Sequence, residues 1–422
     1  MQIAEFTYNT THVQVKVLYI ATAYSRHPGD VITPWMNETI HRLGRAGVRV
    51  EVLAPSYRGL ESGEVDGVRV HRFRYAPRSW EDLTHDQTAP DRVRDKPHYL
   101  GLVPGYVASG MRAAARLARS ERYDVVHVHW PIPHALLGMA ARRATGVPLV
   151  LTFHGVELTW TRRQWPLLTP LLRRMIRTAD AVTANSSYTA GMIRRVYDRE
   201  VVRVPFGATI QAPAAVHDAA KPAGAPFELL FVGRLVERKG VHYLLDALSR
   251  LHTSRPVYLR VVGEGPMRPE LEEQVRRLGL ADRVLFDGFI SKEELAQRFA
   301  TCDAFVLPAI VDSKGDTEGL GVVLVEALTY AKPVIASAAG GIVDVIRDDE
   351  TGLLVQPADA GALATAIDTL VADPERARRL GEGGKAHVER EFSWPVIIER
   401  LVELYRGLAG RRTDTPVNAG TT

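Results

Sequence analysis

Two doubly wound α/β domains are predicted, on three features of this sequence. The chain has 422 residues, more than one ordinary hydrophobic core organises. Short β-branched runs alternate with helical stretches, the pattern of parallel strands joined by right-handed crossovers. The alternation stops at 205–226, where the text PFGATIQAPAAVHDAAKPAGAP is crowded with Ala, Pro and Gly, and then restarts.

Each element has its own signal. Residues 11–21 (THVQVKVLYIA) read as a buried strand. The loop TAYSRHPGD follows, then a helix from about 34 to 46 that Gly47 stops, then the strand VRVEVLAP. Further strands are expected at 68–73, 124–129, 148–153 and 180–185, with helices between most of them. Residues 76–100 are polar and without period; they read as a long loop, either an acceptor grip or a plain surface excursion. After the linker come the strands FELLFVG, VYLRVVGEG, RVLFDGF, DAFVLP, PVIAS and GLLVQP, again separated by helices. The domains are therefore placed at 1–206 and 227–390, with a linker at 207–226. A terminal helix at 391–410 and a disordered polar tail at 411–422 complete the division.

Composition removes several function classes. With 46% hydrophobic and 24% charged residues the balance is that of a globular protein. The single cysteine, Cys302, excludes an intramolecular disulfide and fits a reducing compartment; its setting, FATCDAF, suits packing better than catalysis. Residues 1–12 do not read as a secretion signal, and no run approaches the roughly 20 apolar residues of a membrane span. A cytoplasmic protein is expected. The formal charge of +4 hints only faintly at acidic partners, and no nucleic-acid partner is expected. No Walker loop and no strand-linked G-x-G-x-x-G is present, which argues against nucleotide hydrolysis and hydride transfer.

The chemistry concentrates at strand ends, where ligands bind in such sheets. Residues 303–328, DAFVLPAIVDSKGDTEGLGVVLVEAL, read as a strand, a polar loop and a helix beginning near Gly319. Glu318 stands at the mouth of that helix and Glu326 two turns in. Eight residues of helix rise about 12 Å, and the first turn offers free N–H groups and a positive dipole end to a phosphate. The plainer reading is two surface glutamates. FVGRLVERKG sets Arg234 directly after a strand and Lys239 before a helix; two fixed cations there suit a diphosphate. Lys is a rare choice in this chain, 8 against 45 Arg. Gly263 and Gly265, in VVGEGP, permit close backbone approach. In the first domain LTFHG sets His154 at a strand end. HVHWP puts His127 and His129 on one strand face, but no acidic or thiol partner at a comparable strand end completes a metal site. No Asp-x-Asp closes a strand.

These motifs together resemble the retaining glycosyltransferases of family four, on the GT-B fold. The resemblance spans most of residues 15–408 and is strongest over 228–360. It implies two Rossmann-like domains facing an interdomain cleft, with the C-terminal helix crossing back to the first. It implies a hexose moved from a nucleoside-diphosphate sugar to an acceptor hydroxyl, with retention and no metal or other cofactor. Arg234 and Lys239 would hold the diphosphate, Glu326 the ribose hydroxyls and Glu318 the transferred sugar. His154 would touch that sugar from the first domain. Gly263, Gly265, Gly319, Leu320 and Gly321 would line the donor. Where many members carry a Gly pair after the first strand, this chain has SRHPGD, so Gly29 stands in for the pair; Asp30 and His129 fall on the acceptor side. The acceptor is left open as a carbohydrate, a lipid-linked or a small-molecule glycoside. Two rivals remain: a sugar-phosphate synthase or nucleotide-sugar epimerase on the same fold, and a nucleotide-sugar-binding module without turnover. Finally, residues 162–177 read as a basic amphipathic segment, Thr169 capping a helix that opens with Pro170. That segment suits either core packing or peripheral contact with the inner membrane face.

Overall fold

The computed structural model describes residues 15–30, 32–86, 89–210 and 224–413. The expectations at 11–14, in most of the linker and in the tail beyond 413 lie outside the described residues. Two compact units are present. One comprises residues 15–185, 190–204 and 398–413; the other comprises 186–189 and 205–397.

The first unit is an eight-stranded sheet. Its strands are β1 (Val15–Ile20), β2 (Val48–Pro55), β3 (Gly63–Val65), β4 (Val68–Phe73), β5 (Val125–His129), β6 (Leu149–Phe153), β7 (Ala181–Ala184) and β8 (Val202–Arg203). They lie in the order β3-β4-β2-β1-β5-β6-β7-β8. Every pairing is parallel except the hairpin β3–β4. Strand β3 was not foreseen, although Asp66-Gly67 carries its signal: both residues have positive φ, as the turn of a two-residue hairpin requires. All five residues of β5 and of β6 are buried, as happens when helices cover both sheet faces. The strand order reverses between β1 and β5. The loops leaving those two strands therefore diverge and open a crevice.

The second unit is a six-stranded, wholly parallel sheet. Its strands are β9 (Phe227–Val232), β10 (Val257–Val262), β11 (Val284–Gly288), β12 (Ala304–Leu307), β13 (Val334–Ser337) and β14 (Leu353–Val355), in the order β11-β10-β9-β12-β13-β14. Here the switch falls between β9 and β12. Each unit has its own apolar core, and Cys302 is buried in the second.

Three expectations about elements are corrected. Residues 76–100 are not one loop: they hold a 3-10 turn at Arg78–Trp80, a helix at Ala89–Asp95 and a 3-10 stretch from Pro97. Their helical turns are too short to show a period in sequence. The helix expected near Gly319 is Val322–Thr329, since Gly321 takes φ 84° and caps it from outside. Glu326 is therefore the fifth residue of that helix rather than two turns in. Thr169 does not cap the helix Thr169–Thr178 but begins it, because the 3-10 turn Pro166–Leu168 already supplies the preceding turn.

The final helix, Trp394–Thr413, begins in the second unit and belongs to the first from residue 398. No helix among the described residues is long and apolar enough to cross a membrane.

Candidate active site

In the second unit the loops after β9 and β12 are laced together. Glu237 accepts hydrogen bonds from the Ser313 amide (3.0 Å) and hydroxyl (2.6 Å). The Ile310 amide donates to the Arg238 carbonyl at 2.9 Å. This lacing brings Lys239, which is buried, against Glu318: the Lys239 ammonium donates to the Glu318 carboxylate. Arg238 Nη1 lies 3.6 Å from Glu318 Oε2, and the Gly321 amide donates to the same carboxylate. Burial alone would raise the Glu318 pKa. The neighbouring ammonium and guanidinium outweigh it and hold the carboxyl below its ordinary value. Glu318 is thus ionised, and Lys239 is paired with it. Arg234 is exposed on the same loop, with no side-chain partner among the described residues.

Glu326 lies in a different setting. It is 7% exposed, and its Oε1 accepts from the Thr209 amide (3.1 Å) and hydroxyl (2.6 Å). Burial raises its pKa, against those two hydrogen bonds. Gly263 and Gly265 are required by the protein itself: a Cβ on Gly263 would strike the Gly233 carbonyl, and one on Gly265 the Leu235 carbonyl. The crowding expected from a ligand is supplied here by the neighbouring loop. Leu320 belongs to the core. Gly319 approaches the loop after β13, whose Gly341 amide donates to the Glu318 carbonyl at 2.9 Å. Sequence reasoning missed Arg238, Thr209 and Gly341. Arg238 carried a signal, standing directly beside Lys239; the other two carried none.

In the first unit His154 follows β6. Its amide donates to Glu157 Oε1 at 2.8 Å, turning the chain into the helix Val156–Arg163. Burial lowers the His154 pKa to about 3, so at neutral pH it is an uncharged imidazole. Its ring stacks on His129 at 5.6 Å, with 3.4 Å between His154 Nε2 and His129 Nδ1. Burial likewise holds His129 well below its ordinary value.

The His127 ring stacks on His129 at 4.4 Å. Both of its nitrogens are engaged, Nδ1 with the Tyr405 hydroxyl at 2.6 Å and Nε2 with the Thr152 hydroxyl at 2.5 Å. It has no lone pair left for a metal, and no group of three His, Cys, Asp or Glu among the described residues is placed to hold one. Two indoles border His154, Trp130 at 4.5 Å and Trp35 at 5.3 Å between ring centres. Trp130 is visible in sequence only as the residue after His129, and nothing local marks Trp35 or Tyr405 as neighbours of the histidines.

The loop after β1 holds Gly29 and Asp30. Asp30 is buried and its carboxylate is bound by Arg26, from Nε at 2.8 Å and Nη2 at 3.0 Å, with the Arg26 amide at 2.9 Å. That pairing pins the loop. Nothing approaches the place of a Cβ on Gly29, whose φ of 76° is what needs a glycine.

The family described as Glycosyltransferase Family 4 matches residues 35–209, and the one described as Glycosyl transferases group 1 matches 216–387. The chain is 33% identical over 359 residues to a GDP-mannose-dependent α-(1-6)-phosphatidylinositol monomannoside mannosyltransferase of Mycolicibacterium smegmatis, covering 82% of this chain and 92% of that one. It is 29% identical over 387 residues to the 2-deoxystreptamine glucosyltransferase of Streptomyces kanamyceticus, covering 85% and 95%. Among solved structures, a sucrose-phosphate synthase from Thermosynechococcus elongatus superposes with a TM-score of 0.74 at 25% identity, over 94% of this chain and all (100%) of that one. The chain therefore belongs to glycosyltransferase family 4, as a GT-B enzyme that moves a hexosyl group from a nucleotide sugar to an acceptor.

Proposed function

We propose that the enzyme is a retaining mannosyltransferase that uses GDP-mannose and acts on a lipid-borne, inositol-containing acceptor. One observation carries this reading: the likeness to the mycobacterial mannosyltransferase runs through 92% of that enzyme at 33% identity. In this reading Arg234 and Lys239 stabilise the departing diphosphate. Glu326 receives the ribose hydroxyls, and Glu318 and His154 the transferred sugar. Gly319 and Gly321 stand at the donor, at the helix start, while Leu320 turns into the core. The bond from the anomeric carbon to the phosphate oxygen breaks while the acceptor oxygen attacks from the same face, and its proton passes to the leaving phosphate. Cations of the chain do the work that a divalent metal does elsewhere, so transfer should survive excess EDTA.

A lipid acceptor would require contact with a membrane face on the cytoplasmic side. The turn before the helix Thr169–Thr178 suits that contact. Leu167 is 92% exposed and Trp165 42%, with Arg162 and Arg163 exposed beside them. The helix itself turns Leu172, Met175 and Ile176 inward to the core, so the contact is assigned to the turn and not to the helix's apolar face. A second reading, a small soluble cyclitol acceptor, is favoured by the likeness to the 2-deoxystreptamine glucosyltransferase.

The test is a panel of GDP-, UDP- and ADP-sugars, scored by thermal shift and by transfer to phosphatidylinositol monomannoside and to 2-deoxystreptamine. Stabilisation by GDP-mannose alone, with transfer to the lipid, is expected. Stabilisation by a UDP- or ADP-sugar alone would replace the donor assignment, and transfer only to the cyclitol would replace the acceptor.

A further inference from the structure

Beside the histidines of the first unit stand two tryptophans to which the donor reading gives no task. Trp130 directly follows β5 and caps the helix Pro131–Thr145 with φ 51° and ψ 75°, a left-handed conformation that a bulky residue adopts only under strain. Gly or Asn would take the same turn without strain, so what this position gains from tryptophan is the ring. Trp35 lies in the first turn of the helix Pro34–Arg45. The two indole centres are 5.9 Å apart, inclined at 64°. Trp130 lies 4.5 Å from His154 at 31°, and Trp35 lies 5.6 Å from His129. Both indoles are half-buried, so each keeps part of its surface open.

The chemistry of this corner is narrow. The imidazoles are neutral, so the four rings offer no cation to a diphosphate and no carboxylate to a ribose. They offer electron-rich π faces, whose negative quadrupole attracts the slightly positive C–H groups of a ring. A pyranose or a cyclohexane polyol presents such a C–H face, with hydroxyls at its edge. An open-chain polyol does not.

We propose that Trp130 and Trp35 form a stacking platform for the acceptor's own six-membered polyol ring, pyranose or cyclitol, beside His154. The platform makes ring acceptors substrates and excludes acyclic alcohols. This deepens the glycosyl-transfer reading and rests on it, because it takes His154 to stand at the transferred sugar.

The test uses the whole enzyme with GDP bound. Saturation-transfer NMR is recorded with methyl α-D-mannopyranoside, myo-inositol and mannitol on the wild type and on Trp130→Ala, Trp35→Ala and Trp130→Phe. At least one ring polyol is expected to receive saturation at its C–H face on the wild type, and mannitol none. Trp130→Ala and Trp35→Ala should lose the signal, and Trp130→Phe should keep part of it. In transfer assays KM for a ring acceptor should rise about tenfold in Trp130→Ala, the scale of one lost aromatic contact. Slow hydrolysis of the sugar donor should fall by a smaller factor than transfer does.

A thermal shift with GDP confirms that each variant retains a working donor unit. Saturation of both ring polyols that survives the alanine variants, or none on the wild type, overturns the platform. Donor hydrolysis falling in step with transfer would assign the indoles to the donor sugar and overturn it as well. A donor other than GDP-mannose would change the glycosyl-transfer reading in detail and leave the polyol signals to be read on their own.

Discussion

The Tyr405 hydroxyl lies 2.6 Å from Nδ1 of His127, across 278 residues of chain. It also meets the Tyr19 hydroxyl at 2.8 Å, and all three side chains are buried. Through His127 the last helix supports a stack that continues to His129 and His154. Tyr405 is thus a positioning residue. Tyr405→Phe leaves His127 Nδ1 buried without its partner, which should cost about 1–3 kcal/mol of stability. kcat should fall while GDP affinity is unchanged. Urea denaturation with steady-state kinetics checks this; an unaltered kcat would confine Tyr405 to holding the helix.

The Lys239–Glu318 pair should behave as a coupled unit. Removing one member leaves the other charged and poorly solvated, at about 3–5 kcal/mol for a buried pair. Arg238 remains beside Glu318, so the loss in Lys239→Ala should fall at the lower end. Turnover in that variant should drop about 10²-fold or more, the scale of one lost electrostatic contact. The double variant Lys239→Ala/Glu318→Ala should be less destabilised than the two single losses added together. Strict additivity in the unfolding cycle would show that the contact contributes little.

Glu326 can be tested by separating its two tasks. Glu326→Gln keeps an oxygen for Thr209 but loses the charge offered to a ribose, so stability should be nearly retained while GDP binds more weakly. Glu326→Ala should lose both, since the Thr209 hydrogen bonds also go. Calorimetric titration with GDP decides. A glutamine variant that binds GDP as tightly as the wild type removes the ribose assignment.

Acid should loosen the first unit before the second. Burial lowers the pKa of His127 and His154 to about 3 and of His134 to about 4, against an ordinary value of 6.5. Each binds a proton more weakly folded than unfolded. Their contribution is therefore complete above about pH 6.5 and is lost as the pH falls below it. Glu326, raised instead of lowered, contributes in the opposite sense in the second unit. Trp35, Trp80, Trp130, Trp160 and Trp165 lie in the first unit and only Trp394 in the second, so tryptophan fluorescence reports mainly on the first. Its urea midpoint should drop between pH 7.5 and pH 5. A midpoint that holds or rises would mean that these imidazoles are protonated without opposition.

Membrane contact through residues 162–168, the end of the helix Val156–Arg163 and the turn after it, has its own test. Flotation with anionic vesicles should capture the wild type at low salt, weaken as salt is added, and fail for Trp165→Ser/Leu167→Ser. Arg162→Glu/Arg163→Glu/Arg174→Glu should fail likewise. Arg173 is left intact because it lies over the Tyr197 ring at 5.8 Å. Absence of wild-type capture would favour a soluble acceptor.

The sequence by itself determined the two parallel sheets and most of their strands, because strands buried on both faces must be written as continuous β-branched runs. Local spacing likewise placed Arg234 and His154 at strand ends, Lys239 just before a helix and Glu318 at a helix mouth. What the tertiary structure decided were relations between distant residues. Gly263 and Gly265 were legible as glycines, but only the packed loops show that the Gly233 and Leu235 carbonyls demand them. Glu326 was legible as a carboxylate, but its hold on Thr209, 117 residues earlier, leaves no local trace. The helix after Glu318 starts three residues later than expected because Gly321 adopts a left-handed turn that composition permits without requiring. In sequence Tyr405 is simply one residue of the expected terminal helix. Its hydroxyl became part of the histidine stack only when folding brought that helix against β1 and β5, since a hydrogen bond depends on ångström-scale placement that no sequence period encodes.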